Sequence, residues 1–565
     1  MSGTSAAPDL DPDLIRAVRA WIAMDPDPTT RSELEDLLDR ADASTLHERF
    51  DRPLTFGTAG LRGVVAGGPG AMNRLVVRRT AAGVADWVQR KGPDGAARGI
   101  VVGRDARHGS ATFARDTVEV ASAAGVRVLE LDQPLPTPLT AFAVRHFGAS
   151  AGVVVTASHN PARDNGYKVY DEDGSQVIPP ADHEIEEAAA RLADAPQARA
   201  VVPGAVETVA ATDLIAAYES AIGDVGGGAA GLRIVYTPLH GVGGAVVPSL
   251  LARHGVDVTV VPEQAVPDPD FPTVAFPNPE EPGALDLAIA LGTRLDADLV
   301  VANDPDADRL CVAVPLDGSW RTFSGDELGA ILGEERCRTT TGSGRLVATT
   351  IVSSSMLSSI AASHGVDFTA TLTGFKWLGR AGVSRHERLV FAYEEALGFA
   401  VSEAVADKDG ISAALLVCAA AAARAAAGSS LIDALDDLEV AHGVHLTRQL
   451  SFRREGAAGL AEIEAVVERL AASPPSTLGG LEVTSVEDLS TGVDGLAPTE
   501  GVRLRTGGRA RVVVRPSGTE PKLKAYVEVV AAPVGRDELA RSRAQAEAVL
   551  VAVCEDVTAR CDPAR

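Results

Sequence analysis

The 565-residue sequence contains only five cysteines, Cys311, Cys337, Cys418, Cys554 and Cys561. None forms a Cys-x-x-Cys pair, so neither a disulfide framework nor a zinc site is indicated, and a reducing cytoplasm is the expected setting. Positive charge is also short. Lys and Arg number 52 against 77 Asp and Glu, a formal net charge of −25. This argues against a general binder of nucleic acid or of anionic membrane, since both need broad positive surface. A small anionic ligand stays open, because a local cluster of Arg and Lys can hold one inside an acidic protein. Long apolar runs are missing as well. The longest, "ISAALLVCAAAAA" from Ile411, stops at Arg424, too short for a bilayer and readable as a buried helix. The N-terminal "MSGTSAAPDLDPD" is polar and acidic, unlike a secretory signal. Aromatics are only 4% beside abundant Ala, a bias of composition rather than of function.

What is present is enough apolar residue, 46%, for sizeable cores. The length implies about three to five domains. The first 50 residues read as a helical extension, with Thr and Ser as cap candidates in "TTRSELEDLLDR". Short β-branched runs then alternate with helical stretches: "RGIVVGRD", "VRVLEL" and "AGVVV" as strands, "GSATFARDTVEVASAAG" and "PLTAFAVRHFG" as helices. That alternation predicts a mostly parallel α/β sheet. It restarts after the glycine-rich "GDVGGGAAG" and again near "FSGDELGAILGE", without a strict repeat. Expected units are 51–222, 231–322, 323–445 and 446–565, three α/β modules followed by an α+β domain. The stretch "PDPDFPTVAFPNPEEPG" (267–283) reads as an irregular surface loop.

Four stretches carry chemistry. In "NDPDADR", Asp304, Asp306 and Asp308 alternate, so an extended backbone would point three carboxylates one way. Oxygen donors of this kind suit a hard cation such as Mg²⁺. A calcium EF-hand would need Gly and Glu where Arg309 and Pro315 stand, and a haloacid-dehalogenase-type phosphatase would need Thr or Val at Asp308. In "RPSGTEPK", Arg515 offers a fork for phosphate, Ser517 and Thr519 offer hydroxyls, Gly518 permits an anion-binding nest and Lys522 adds charge. "FGTAGLRG" allows close backbone approach beside Arg62, while "HGVGGAVV" lacks the third glycine of a dinucleotide loop and reads as a strand-to-helix turn. In "TASHNPARDNGYK", Ser158 follows a strand with no Gly-x-Ser-x-Gly elbow around it. A serine hydroxyl needs a base or a metal to act. A carboxylate trio and a phosphate loop elsewhere in the chain suggest that Ser158 carries a phosphoryl group.

Taken in order, "FGTAGLRG", "TASHNP", "NDPDADR" and "RPSGTEPK" resemble the α-D-phosphohexomutase superfamily, over nearly the whole chain. The resemblance implies four domains around a central cleft. It implies catalytic roles for Ser158, Lys168, Arg62 and His159, with Lys168 the general acid/base. Mg²⁺ would be bound by Asp304, Asp306, Asp308 and the phosphate on Ser158. Arg309, Glu394, Lys376 and Lys408 would face the substrate, and Arg515, Ser517, Gly518 and Thr519 would grip its non-reacting phosphate. The implied reaction moves phosphate between C1 and C6 of glucose or mannose phosphate through a sugar 1,6-bisphosphate. In "YEEALGF", Ala396 stands where the superfamily usually has Ser, so a phosphopentomutase acting on ribose or deoxyribose phosphate is the alternative. A non-catalytic sugar-phosphate binder would have lost Ser158, the aspartates or Arg515, and all are present. A metal-dependent phosphatase, which needs an open and hydrated site, is a further alternative that the sequence does not exclude. The expected partner is a small sugar phosphate, with monomer and dimer both open.

Overall fold

The computed structural model describes residues 10–56, 60–192, 205–223, 225, 227–454, 456–517 and 522–562. Three helices, Pro12–Met24, Pro28–Asp39 and Ala43–Phe50, open the chain. The expected Thr and Ser caps are not the ones used. Asp27 caps the second helix by accepting from the Thr29 N–H at 2.8 Å, because Pro28 takes the first helical position, where a missing N–H costs nothing. Val18, Trp21, Leu34 and Leu46 bury against Leu75 of the helix Arg74–Gln89, so the extension and the first module share a core.

The first sheet is mixed. Its strands run Leu61–Val64, Asp164–Asp171, Ala151–Val155, Ile100–Arg104, Val128–Leu131 and Val206–Val209 across the sheet, the last four parallel. Ala151–Val155 is buried at every position, which explains its unbroken apolar sequence between helices on both faces. The second sheet has Arg233–Thr237 between the parallel Asp257–Val260 and Leu299–Ala302, followed by antiparallel Cys311–Leu316 and Ser319–Thr322. The third is Asp367–Thr371, Arg345–Thr350, Arg388–Glu394 and Gly398–Ala400. The last sheet is antiparallel, with Lys522–Ala531 between Val444–Arg453 and Ala510–Pro516, and Leu539–Cys561 packs on it. The described residues are thus mixed α/β and form four sheets.

One apolar core runs from Val101 to Leu438 through the first three sheets and includes the alanine-rich helix Gly410–Ala426. The last sheet has its own core. Among the described residues, no single helix is long and apolar enough to cross a membrane. The stretch 267–283 forms neither helix nor strand.

Candidate active site

Ser158 lies just past the carboxyl end of Ala151–Val155, where open α/β sheets collect ligands. Its φ is +52°, a left-handed conformation that a serine holds only at a cost of about 1–2 kcal/mol. The turn is fixed by Arg107, whose guanidinium donates to the carbonyls of Ser158 (2.5 Å), Asn160 (2.6 Å) and Pro161 (2.9 Å). Asn160 in turn accepts from Arg62 at 2.9 Å. The Ser158 hydroxyl donates to Asp304 Oδ2 at 2.5 Å, and His159 Nδ1 lies 3.2 Å from the same hydroxyl oxygen. Burial, then the Arg309 and Arg62 guanidiniums, hold His159 well below the ordinary histidine pKa.

Asp304, Asp306 and Asp308 are fully buried, with ligand oxygens within 4.8 Å of one another. They converge by a different route from the one expected. The stretch is a turn, not an extended strand, and Ala307 takes φ +55° to fold it back. Glycines wall the turn: a Cβ on Gly241 would lie 2.3 Å from Pro305, and one on Gly410 would lie 2.3 Å from the Arg309 carbonyl. "HGVGG" therefore serves close backbone approach to the carboxylate turn.

Lys168 Nζ donates to Asp306 Oδ2 at 2.8 Å and Asp308 Oδ2 at 2.9 Å, and Lys408 Nζ lies 3.3 Å from Asp308 Oδ2. Burial alone would raise Asp308, but the two ammoniums hold it far below the usual carboxylate range. Asp304 has no such lysine, and burial followed by repulsion from Asp308 and Asp306 pushes it well up. Thr137 completes the group, its hydroxyl donating to Asp306 Oδ2 at 2.6 Å and its N–H to the Asp306 carbonyl at 2.9 Å. Asp306 Oδ1 and Asp308 Oδ1 remain buried with no hydrogen-bond partner. Three hard oxygen donors, two of them open, fit a divalent metal ion.

The sugar-loop candidate adjoins this turn, since the Leu310 N–H donates to the Leu397 carbonyl at 3.1 Å. Glu394 faces Lys408 and Arg309, and burial raises its pKa against their pull. Lys376 does not join the carboxylates. It sits over Trp377 and interacts with Asp182 of the helix Ala181–Arg191, because the short helix Phe375–Leu378 carries it to that side. Arg515 lies against Tyr526, whose other charged neighbours are Glu395 and Glu394, so the last sheet meets the sugar loop rather than the metal turn. The Ser517 N–H donates to the Lys522 carbonyl at 2.8 Å. Gly518 and Thr519 lie outside the described residues.

Arg107, Thr137 and Glu395 escaped the motif reading. The available signal for the first two was position, just beyond strands Ile100–Arg104 and Val128–Leu131. Glu395 accepts from Ser353 at 3.0 Å and Thr350 at 3.3 Å. Burial, then Glu394 and Asp326, push its pKa from 4.5 up to about 7. A raised folded-state pKa means the protonated form is favoured by the fold and the charged form is penalised. The penalty is absent below about pH 4.5 and grows to its full size as pH rises through about 7. Glu395→Gln, which mimics the protonated form, is expected to raise stability at pH 8 by up to about 3 kcal/mol and to change it little at pH 4. Urea titrations at the two pH values check this.

Comparison with known proteins agrees with this geometry. Family models match all along the chain: "Phosphoglucomutase/phosphomannomutase, alpha/beta/alpha domain I" at 53–195, domain II at 220–317, domain III at 324–438 and the C-terminal domain at 453–546. A probable phosphoribomutase of Schizosaccharomyces pombe is 36% identical, over 92% of this chain and 94% of its own. A probable phosphomannomutase of Haemophilus influenzae is 39% identical, over 81% of this chain and 93% of its own. The crystal structure of a putative phosphomannomutase from Thermus thermophilus superposes with a TM-score of 0.65 at 26% identity, covering 87% of this chain and 99% of that one. The chain belongs to the phosphoglucomutase/phosphomannomutase family of the α-D-phosphohexomutase superfamily, and it is an isomerase that relocates phosphate on a sugar.

Proposed function

We propose that the chain interconverts hexose 1-phosphate and hexose 6-phosphate, of glucose or mannose, with Ser158 as the phosphoryl carrier. The observation that carries this reading is the Ser158 hydroxyl, held 2.5 Å from Asp304 on a left-handed turn beside a buried carboxylate trio. Asp304, Asp306, Asp308 and the phosphorylated Ser158 would hold Mg²⁺, which when bound supplies neutralising charge to the transferring phosphoryl group.

The remaining work falls to the protein. Arg107 and Arg62 fix the turn, so the serine oxygen stays in line with an incoming sugar hydroxyl. A sugar oxygen attacks the phosphorus and gives its proton to a base, the Oγ–P bond breaks, and the Ser158 oxygen takes up a proton; the second half reverses these transfers. The resulting 1,6-bisphosphate turns over in the site and returns its other phosphate to Ser158. Lys168, charged on Asp306 and Asp308, supplies the acid of the second half. Arg309, Glu394 and Lys408 line the sugar's side. Arg515 with Ser517, Gly518 and Thr519 grips the distal phosphate, and closure of the last domain excludes water. The hexose assignment follows the relative named a probable phosphomannomutase.

A second reading, ribose 1-phosphate to ribose 5-phosphate, has its own support. Ala396 offers no hydroxyl to a hexose, and the relative named a probable phosphoribomutase spans 92% of this chain. Measuring kcat/KM for glucose, mannose and ribose 1-phosphates side by side, with Mg²⁺ and a trace of bisphosphate, separates the two. The hexose reading expects at least tenfold preference for a hexose, about 1.4 kcal/mol in transition-state binding. The reverse preference would establish the pentose reading. Loss of phosphate without appearance of the isomer would sink both.

A further inference from the structure

The proline-rich stretch 267–283 reaches the active site at two points, Arg107 and Arg309. Its root is tied to buried groups: Thr273 Oγ1 lies 2.8 Å from His240 Nε2 and accepts from Gln264 Nε2 at 2.9 Å, and Gln264 accepts from Thr237 at 2.6 Å. From that root Phe271, 3% exposed, places its ring 4.8 Å from the Arg107 guanidinium, and Asp270 lies 2.7 Å from His108 next door. Further along, Glu280 lies 3.3 Å from the Arg309 guanidinium. Arg107 holds the Ser158 turn by three carbonyls. Arg309 leaves the carboxylate turn, and its N–H donates to Asp304 at 3.0 Å.

We propose that this stretch is a clamp that positions both arginines, Phe271 acting on Arg107 and Glu280 on Arg309. The proposal rests on the mutase function and deepens it, since it takes Arg309 as a contact for a sugar phosphate. The physical case is one of lost freedom. An arginine side chain has many rotamers, and binding an anion with an unfixed one means ordering it at that moment. Glu280 orders Arg309 beforehand, through a carboxylate that is 39% exposed and adds little to stability. Phe271 acts differently on Arg107: its ring lies 4.8 Å from a buried guanidinium that three carbonyls already orient, and braces it there. The two effects differ in kind. Arg309 faces the ligand, so Glu280 acts on affinity. Arg107 faces the serine turn, so Phe271 acts on turnover.

The test measures binding and turnover separately. Isothermal calorimetry with glucose 6-phosphate is expected to show Glu280→Gln binding about three- to tenfold more weakly than wild type, with Glu280→Asp recovering much of the loss. The melting temperature and kcat of Glu280→Gln should stay close to wild type. Phe271→Leu, which keeps the volume and removes the π face, is expected to lower kcat about three- to tenfold with little change in KM. Equal or tighter binding by Glu280→Gln would overturn the clamp, as would a Phe271→Leu defect that tracks a lower melting temperature. Wild-type binding without turnover would sink the hexose reading and leave the Glu280 arm of the clamp standing; no wild-type binding would also sink the hexose reading, and the same comparison with ribose 5-phosphate would then decide the clamp.

Discussion

Ser158→Ala is expected to lower kcat by about 10⁴-fold or more while the protein stays folded. Loss of a nucleophile that no neighbour replaces has this order of effect. The other group within reach of the Ser158 oxygen is the His159 ring, and its nitrogen holds no phosphoryl group in the proposed cycle. The structural change is small. Alanine keeps the backbone demand at φ +52°, and Asp304 loses one donor but retains the Arg309 N–H. The check combines kinetics with intact mass after incubation with glucose 1,6-bisphosphate, where wild type should gain a phosphoryl group and the variant should not. A variant retaining most of its activity would remove Ser158 from the mechanism.

Lys168→Met is expected to destabilise the protein by about 3–5 kcal/mol in the absence of metal. The reason is electrostatic. Asp306 and Asp308 are fully buried, and Lys168 lies within 2.9 Å of both. Removing one partner of a buried pair leaves charge uncompensated, and a loss of this size is typical. Lys408, 3.3 Å from Asp308, compensates part of it. Mg²⁺ should restore about 2.7 kcal/mol at a hundredfold excess over its dissociation constant, because it binds the folded state. Urea denaturation with and without Mg²⁺ reads both numbers. Unchanged stability without metal would show that Lys168 is not the counter-ion.

Much of the site could be read from short stretches. Ser158 and the aspartates stand out because backbone turns and ion chemistry constrain neighbouring residues together, whereas Lys168 entered only through the family resemblance. Thr137 could not be found that way. It touches Asp306 across 169 positions of sequence, and a threonine before a helix has a sufficient local explanation as a cap. Arg107 was hidden for a similar reason, since its partners are backbone carbonyls that carry no side-chain signature. The two lone lysines looked alike in the sequence. Lys408 reaches Asp308 because Asp407, bonded by Tyr170 and Gln176, pins its segment to the first sheet, whereas Lys376 follows its helix towards Asp182. The alternating strands and helices revealed the α/β modules, but not the turn at Ala307 that converts an alternating Asp pattern into a cage.

The core from Val101 to Leu438 has a mechanical consequence. Three sheets packed around one apolar interior tie the serine turn to the carboxylate turn, although these belong to different sheets. The last sheet meets the third through a small apolar patch of Ile351, Val352, Leu489, Val513 and Tyr526 and through polar bonds such as Ser355 to Glu528 at 2.9 Å. In the proposed cycle an outward movement of this sheet would break chiefly polar bonds at the seam rather than an apolar core. The intermediate of that proposed cycle reorients before its second half-reaction, and a polar seam on one side of the site with a packed serine turn on the other would suit that step.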